Sequence, residues 1–187
     1  MADKHYISAQ QLLEDAFRLG LMVLRSGFRP GLILGIWRGG TPVGIAVQEI
    51  LQVHGVASDH MAIRTALYTG IGQRARRVRV HGLAYALARL RRDTPLLLVD
   101  DVFDTGLSVE AVVRHIRRRK GRDTPAQIRI ATPWYKPANN QTDLAPDYFI
   151  HQTGQWLVFP HELAGLSRAE VLEHKPGLRA LYREFGL

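Results

Sequence analysis

Apolar residues recur along this chain with two different periods, and the alternation between them predicts the fold. Leu12, Leu13, Ala16, Phe17, Leu19 and Leu21 fall at helical spacing. Ser8, followed three positions later by Gln11, predicts the cap that opens this helix, and Gly27 marks its end. The run Gly31-Leu-Ile-Leu-Gly-Ile-Trp37 is nearly continuous in apolar residues, the signature of a strand buried on both faces. Pro42–Leu51 reads as a helix, Met61–Leu67 as a second strand and Leu83–Leu90 as a short helix. Pro95–Val99 and Ile128–Thr132 are further buried strands. Between them Gly106–Arg119 is a helix with Leu107, Ala111, Val112, His115 and Ile116 turned inward. Asp147–Ile150 and Trp156–Phe159 predict shorter strands, and Ser167-Arg-Ala-Glu170 is a second capping-box pattern opening a terminal helix.

Residues 68–77 break both periods. They hold two glycines and three arginines and are expected to form a mobile basic loop. Strands alternating with helices predict an α/β fold with a mostly parallel sheet covered on both faces. No internal repeat, low-complexity tract or linker divides the chain, so residues 1–187 are expected to form one domain. In open α/β sheets ligands bind at the carboxyl ends of the strands, and that is where the candidate chemistry lies.

Composition narrows the class. The chain has 187 residues, 46% hydrophobic and 22% charged, which is the balance of a folded globule and not of a disordered chain. It has no cysteine, which excludes disulfides, zinc ribbons and thiol catalysis and is compatible with a reducing compartment. No apolar run approaches a membrane span, and the first residues lack the basic-then-apolar design of a signal peptide. A cytoplasmic protein without a membrane partner is expected. The net charge of +8 suits a polyanionic partner, either nucleic acid or a phosphorylated metabolite. Six of the nine residues from Arg114 to Arg122 are Arg or Lys, which reads first as a solvated face or a subunit contact. A second basic segment, Arg74–Arg79, is assigned to the loop.

The strongest chemical signal is Leu96-Leu-Leu-Val-Asp100-Asp101-Val-Phe-Asp104-Thr105-Gly106-Leu107-Ser108. It joins an apolar strand, two acids, a short turn, and a small hydroxylated segment that opens a helix. Amides at a helix N-terminus are unpaired and hold phosphate well, and Gly106 lets an anion approach the backbone. Thr105 and Ser108 add hydroxyl donors. Asp100 and Asp101 are acceptors, suited to sugar hydroxyls or to a hydrated Mg²⁺. Acids beside a phosphate cradle point to a ligand with both groups, a ribose 5-phosphate. The bland alternative makes Asp104 a helix cap and the acidic pair ordinary strand-end residues.

This stretch resembles the phosphoribosyl-diphosphate (PRPP) binding motif of the type I phosphoribosyltransferases. The resemblance covers roughly residues 31–160 and is most similar to the branch acting on 6-oxopurines. It implies the fold of that family, a mostly parallel twisted sheet with helices on both faces and a small hood region built from N- and C-terminal segments. It implies that Asp100 and Asp101 bind the ribose hydroxyls, that Asp101 also touches Mg²⁺, and that Asp104, Thr105, Gly106, Leu107 and Ser108 hold the 5-phosphate. Gly35-Ile36-Trp37-Arg38-Gly39-Gly40 looks like the family's pyrophosphate loop, with Arg38 and Gly39 on the diphosphate. There the resemblance implies a cis peptide at Trp37–Arg38, although Trp37 is bulkier than the pattern suggests.

The resemblance further implies a lid at residues 68–77, with Arg74 and Arg76 over the diphosphate. Lys136 would donate to the purine O6, Trp156 would stack on the ring, and the Leu157 backbone would meet the group at C2. The lysine has a logic of its own, because an ammonium only donates and so favours a 6-oxo acceptor over a 6-amino group. Asp104 is the expected catalytic residue, near purine N7. Together these imply a purine-salvage phosphoribosyltransferase that uses Mg²⁺, PRPP and a purine base, assembled as a homodimer or homotetramer and with no nucleic-acid partner expected. Two alternatives stay open: an RNA-binding, nucleotide-sensing regulator on the same fold, and a phosphoribosyltransferase for another base. His161 reads as structural.

Overall fold

The computed structural model describes residues 4–68 and 77–186. In chain order its elements are β1 (Lys4–Tyr6), α1 (Ala9–Arg25), β2 (Leu32–Trp37), α2 (Gly40–Val53), β3 (Asp59–Tyr68), β4 (Arg77–His81), α3 (Ala84–Arg89), β5 (Leu96–Val99), β6 (Val102–Phe103), α4 (Leu107–Lys120), β7 (Ile128–Tyr135), β8 (Tyr148–Gln152), β9 (Trp156–Val158), α5 (Arg168–His174) and α6 (Pro176–Glu184). Short 3₁₀ turns occupy Gly121–Asp123 and Pro137–Asn139. The chain divides into two compact units, Leu13–Gly154 and a smaller one made of Met1–Leu12 with Gln155–Leu187. The smaller unit is the region expected from the N- and C-terminal segments.

The larger unit is built on a seven-stranded sheet in the order β4-β3-β2-β5-β7, with β6 and β8 also paired to β7. Every pairing is parallel except β3 with β4. The pairings Val99↔Ala131 and Val102↔Trp134 keep one register, so β5 and β6 form a single line along β7, interrupted only at Asp100-Asp101. Ala131 also pairs with Tyr148, which puts β8 on the opposite edge of β7.

The near-continuous apolar runs follow from burial on both faces. Leu32, Leu34, Ile36, Leu96 and Leu98 form one core with Leu83, Ala86 and Leu90 around α3 and with Val109, Val112, Val113 and Ile116 of α4. Side chains alternate across a sheet, so Ile33, Leu97 and Val99 point to the other face. There α2 packs on β2 and β5, and Gly44 sits so close that a Cβ on it would lie 3.5 Å from the Gly35 Cα. Because β2, β5 and β7 are parallel, their carboxyl ends at Trp37, Val99 and Tyr135 open along one edge of the sheet.

In the smaller unit β1 pairs in parallel with β9, from Lys4↔Trp156 to Tyr6↔Val158. Both capping patterns form. The Gln11 amide donates to Ser8 Oγ at 3.0 Å. At Ser167 the box is reciprocal, with Glu170 N–H to Ser167 Oγ at 3.3 Å and Ser167 N–H to Glu170 Oε2 at 2.8 Å.

Several expectations need correction. Of the loop expected at 68–77, Tyr68 belongs to β3 and Arg77 to β4, and residues 69–76 lie outside the described residues. The basic segment Arg74–Arg79 is therefore partly strand. In β4 the apolar positions Val78 and Val80 alternate with Arg77 and Arg79, which hid a short edge strand behind its charge. The expected terminal helix is two helices, since Pro176 opens a new one after Lys175. β1 and β6, of three and two residues, are too short to leave a periodic signal. Leu107 and His115 are half-buried and not part of the core.

Candidate active site

Three loops meet at the carboxyl edge of the sheet. The first follows β2 and begins with a cis peptide at Trp37–Arg38, as the sequence resemblance implied. Arg38 is exposed, whereas Gly39 and Gly40 are buried against the second loop. A Cβ on Gly39 would lie 1.6 Å from Asp101 Oδ2, and one on Gly40 would lie 2.5 Å from the Val99 carbonyl oxygen and 2.7 Å from the Asp100 Cα. Only glycine lets these two loops touch.

The second loop interrupts the β5–β6 line. There the Asp101 amide donates to Asp100 Oδ1 at 3.0 Å. Burial pushes the Asp100 carboxyl well above the usual carboxylate range, and the adjacent Asp101 carboxylate adds to the effect. Backbone amides of Asp101 and Gly40 pull the other way. Asp101 is 9% exposed. Asp101, with the Asp100 carboxyl oxygens beside it on the same cleft, offers an oxygen-only donor set. That suits a hydrated Mg²⁺, which keeps several waters and takes one or two protein carboxylates.

Beyond β6 the chain turns at Asp104-Thr105-Gly106 into α4. Gly106 has φ of +76°, the left-handed conformation, and a Cβ there would meet Thr142 Oγ1 at 2.6 Å and the Phe103 ring at 2.8 Å. It opens α4 without a side-chain cap. The helical ladder starts with Glu110 N–H to Gly106 O, so the amides of Leu107, Ser108 and Val109 precede it. The Leu107 amide reaches Thr105 Oγ1 only at 3.5 Å. Together residues 100–106, 108 and 109 line an open cleft of about 210 Å³. Behind it, Thr65 of β3 donates through its hydroxyl to Ser108 Oγ at 3.3 Å.

The third loop follows β7. The Lys136 amide donates to the Phe103 carbonyl at 2.9 Å and the Gln141 amide to the Thr105 carbonyl at 3.0 Å, which fastens this loop to the second. Lys136 is 8% exposed, and its ammonium lies 3.3 Å from Asp104 Oδ2. Asn139 Nδ2 donates to the other oxygen, Oδ1, at 2.7 Å. The Asp104 side chain still keeps 40% of its surface open. It is therefore held at both oxygens yet accessible. Lys136 makes one side-chain hydrogen bond among the described residues, which leaves donors of the ammonium for a ligand.

The sites expected from the sequence thus separate into three groups. Arg38, Gly39, Asp100, Asp101, Asp104, Thr105, Gly106, Leu107, Ser108 and Lys136 come together at the sheet edge. Trp156, 59% exposed, and Leu157, buried, lie on β9 in the smaller unit. Arg74 and Arg76 lie outside the described residues. Asn139 and Thr65 were not anticipated. Neither belongs to a motif, although Asn139 falls three residues after the lysine in a turn that Pro137 starts.

The phosphoribosyl transferase domain model matches residues 9–164, and the chain belongs to that family. No curated protein matches it in sequence. Among solved structures it is similar to the purine phosphoribosyltransferase of Pyrococcus horikoshii, at 26% identity over 89% of this chain and 98% of that one, with a TM-score of 0.68. It is also similar to the Helicobacter pylori xanthine-guanine-hypoxanthine phosphoribosyltransferase, at 20% identity over 84% and 92%, with a TM-score of 0.63. A hypothetical protein from Neisseria gonorrhoeae with bound ppGpp matches over 96% and 99% of the two chains, at 16% identity and a TM-score of 0.74. Fold and family are those the motifs implied. Among the described residues, no helix is long and apolar enough to cross a membrane.

Proposed function

We propose that this chain transfers the 5-phosphoribosyl group of PRPP to a 6-oxopurine, giving the nucleoside monophosphate and diphosphate. The observation that carries the reading is Lys136, a buried ammonium with spare donors beside an accessible carboxylate. A cation so placed matches an acceptor oxygen on a planar base and leaves a 6-amino group unsatisfied. The purine enzymes among its structural neighbours support the same substrate class.

Each loop has a part in the transfer. The amides at the start of α4, with the Thr105 and Ser108 hydroxyls, hold the 5-phosphate. Thr65, by donating to Ser108 Oγ, leaves the Ser108 proton free to point at the phosphate. Asp100 and Asp101 accept from the ribose hydroxyls. Arg38 and the backbone of Gly39 face the diphosphate, where negative charge grows as its bond to C1 breaks. Purine N9 forms the new bond to C1, and Asp104 takes the proton from N7. Lys136 and Asn139, bonded to its two oxygens, fix the direction of the Asp104 carboxyl. Asp101 would hold Mg²⁺, which would supply positive charge to neutralise the departing diphosphate. Trp156 and Leu157 are proposed for the base, and Arg74 and Arg76 for the lid. One catalytic domain, a homo-oligomer and a cytoplasmic location complete the reading.

Mixing the protein with PRPP, Mg²⁺ and each of hypoxanthine, guanine, xanthine, adenine and uracil, and following nucleotide by absorbance, tests it. Turnover with a 6-oxopurine is expected. Turnover with adenine or uracil alone would transfer the reading to another base. The ppGpp-bound neighbour favours a second reading, a nucleotide-sensing regulator, which predicts nucleotide binding without turnover of any base.

A further inference from the structure

One face of the sheet lacks a layer. Leu34, Ile36 and Ile63 point into the core shared with α3 and α4, so the alternate positions of β2 and β3 point the other way. The register sets Trp37, Arg64 and His81 in one row across β2, β3 and β4, with His60 and Ala62 further along β3 on the same side. α2 lies on that side but packs on β2 and β5. His60, Ala62, Arg64 and His81 are accordingly exposed, and Trp37 keeps 53% of its surface open. Between this bare face and α2 runs an open groove of about 210 Å³, with Gly35 and Ala62 on its floor and Ile45, Gln48 and Glu49 along its helical wall.

We propose that this face docks a second copy of the chain, whose own α2 supplies the missing layer. The proposal gives the homo-oligomer of the proposed function its surface, and it rests on that reading for the second copy alone. The molecule carries the counterpart on itself. Ile45 and Val53, 59% and 78% exposed, flank Glu49 at i, i+4 and i+8 spacing and form an outer stripe of α2. The charges are complementary. The face offers His60, Arg64 and His81, with no acid at the alternate positions 60 to 66, and the stripe offers Glu49. Among the described residues, Glu49 and Arg64 make no side-chain hydrogen bond or ion pair within the chain. A two-fold axis beside α2 makes the contact mutual, each α2 lying on the other copy's strands, which is the closed arrangement of most dimers.

Other occupants fit this face less well. Small-molecule sites run to about 300–1,000 Å³ and enclose most of their ligand. This groove is smaller and open. A nucleic-acid strand would bring its phosphates against Glu49 on the helical wall, where like charge repels them. Protein interfaces instead favour what stands exposed here, an aromatic ring and an arginine beside an aliphatic centre. Trp37 also precedes Arg38, so the cover extends to the loop proposed for the diphosphate.

Sedimentation equilibrium of the full chain at micromolar concentration tests the face. A dimer is expected. Ile45→Lys and Ala62→Lys, one in each half of the contact, should each weaken it about tenfold or more, since each buries a charge in the interface. Both positions are exposed, so the variants are expected to fold, and thermal melts check this. Glu49→Lys should also weaken the dimer, and adding Arg64→Glu should recover most of the loss. Leu13→Lys, at a 44% exposed position on α1, should change nothing. A monomeric parent chain overturns the docking face. So does a dimer that survives Ile45→Lys and Ala62→Lys, a double charge reversal that recovers nothing, or a dimer lost in folded Leu13→Lys. Nucleotide formation is read separately. A monomer that turns over overturns this face and spares the transfer reading, and a dimer without turnover does the reverse.

Discussion

Two lysine–carboxylate pairs in this molecule share a chemistry and differ in what they leave over. In the smaller unit Lys4 donates to Glu170 Oε1, which Tyr6 Oη also reaches at 3.1 Å, while Glu170 Oε2 accepts the Ser167 amide at 2.8 Å. Three hydrogen bonds from within the fold thus occupy that carboxylate, and its lysine is part-exposed. In the larger unit Asp104 is also held at both oxygens, by Lys136 and Asn139, but its face stays open and its lysine is buried with donors unused. A closed pair fastens a helix to a strand. An open one, with the cation desolvated and waiting, is arranged for a ligand. The contrast separates structural from chemical carboxylates without reference to any motif.

The largest expected effect lies at the open pair. Asp104→Asn keeps the shape and removes the base. It should lower kcat by about 10²–10⁴-fold, the range of general acid–base assistance, and change KM much less. Steady-state kinetics with hypoxanthine and PRPP measure this. A raised KM with kcat intact would make Asp104 a binding group and dissolve the contrast with Glu170.

Next in size is Gly39→Ala. A methyl group there falls on the Asp101 carboxylate, so the acid or the loop must move. A displacement of about 1 Å near reacting groups can cost on the order of 10²-fold. The rate with PRPP should collapse while the melting temperature changes little, because the strain falls on loops and not on the core. A large drop in melting temperature with the rate preserved would show that the contact is only packing.

Asn139→Ala should act more gently, by about tenfold on kcat, because it removes one of two hydrogen bonds to a group that Lys136 still holds. A positioning role also predicts that kcat falls while KM for PRPP and hypoxanthine stays nearly constant, and that Asn139→Gln, which keeps the amide, recovers part of the loss. If only stability changes, Asn139 belongs with the closed pair.

Much of the open site was legible in the sequence, for a physical reason. Its residues lie in short contiguous runs, because a strand end, a turn and a helix start must deliver acids, glycine and hydroxyls in that order. Asp100 to Ser108 and Trp37 to Gly40 were readable on that account, as was Lys136 at the end of the next strand. What stayed hidden depends on contacts across the chain. Thr65 and Ser108 are distant in sequence, and Asn139 meets Asp104 only because the two loops are fastened through Phe103 and Thr105. The same holds for the fold. Long apolar runs announced β2, β5 and β7, whereas β1, β4 and β6 exist through their partners.

The smallest effect is expected at the closed pair, and it sharpens the comparison by appearing in stability alone. Lys4 first, then the Ser167 amide, holds the Glu170 carboxyl down to about 2, against an ordinary value of 4.5. A depressed folded-state value means that the unfolded chain binds the proton more readily. The contribution is therefore complete above about pH 4.5 and is lost as pH falls from there through about 2. The pair is partly exposed, so salt should weaken it. Glu170→Gln should flatten the acid side of the melting-temperature curve over that window, lower stability slightly at pH 7, and leave kcat unchanged. Thermal melts between pH 2 and pH 7 measure the first two, and the hypoxanthine assay the third. A loss of kcat equal to that of Asn139→Ala would place the smaller unit's ion pair in the chemistry and reverse the assignment.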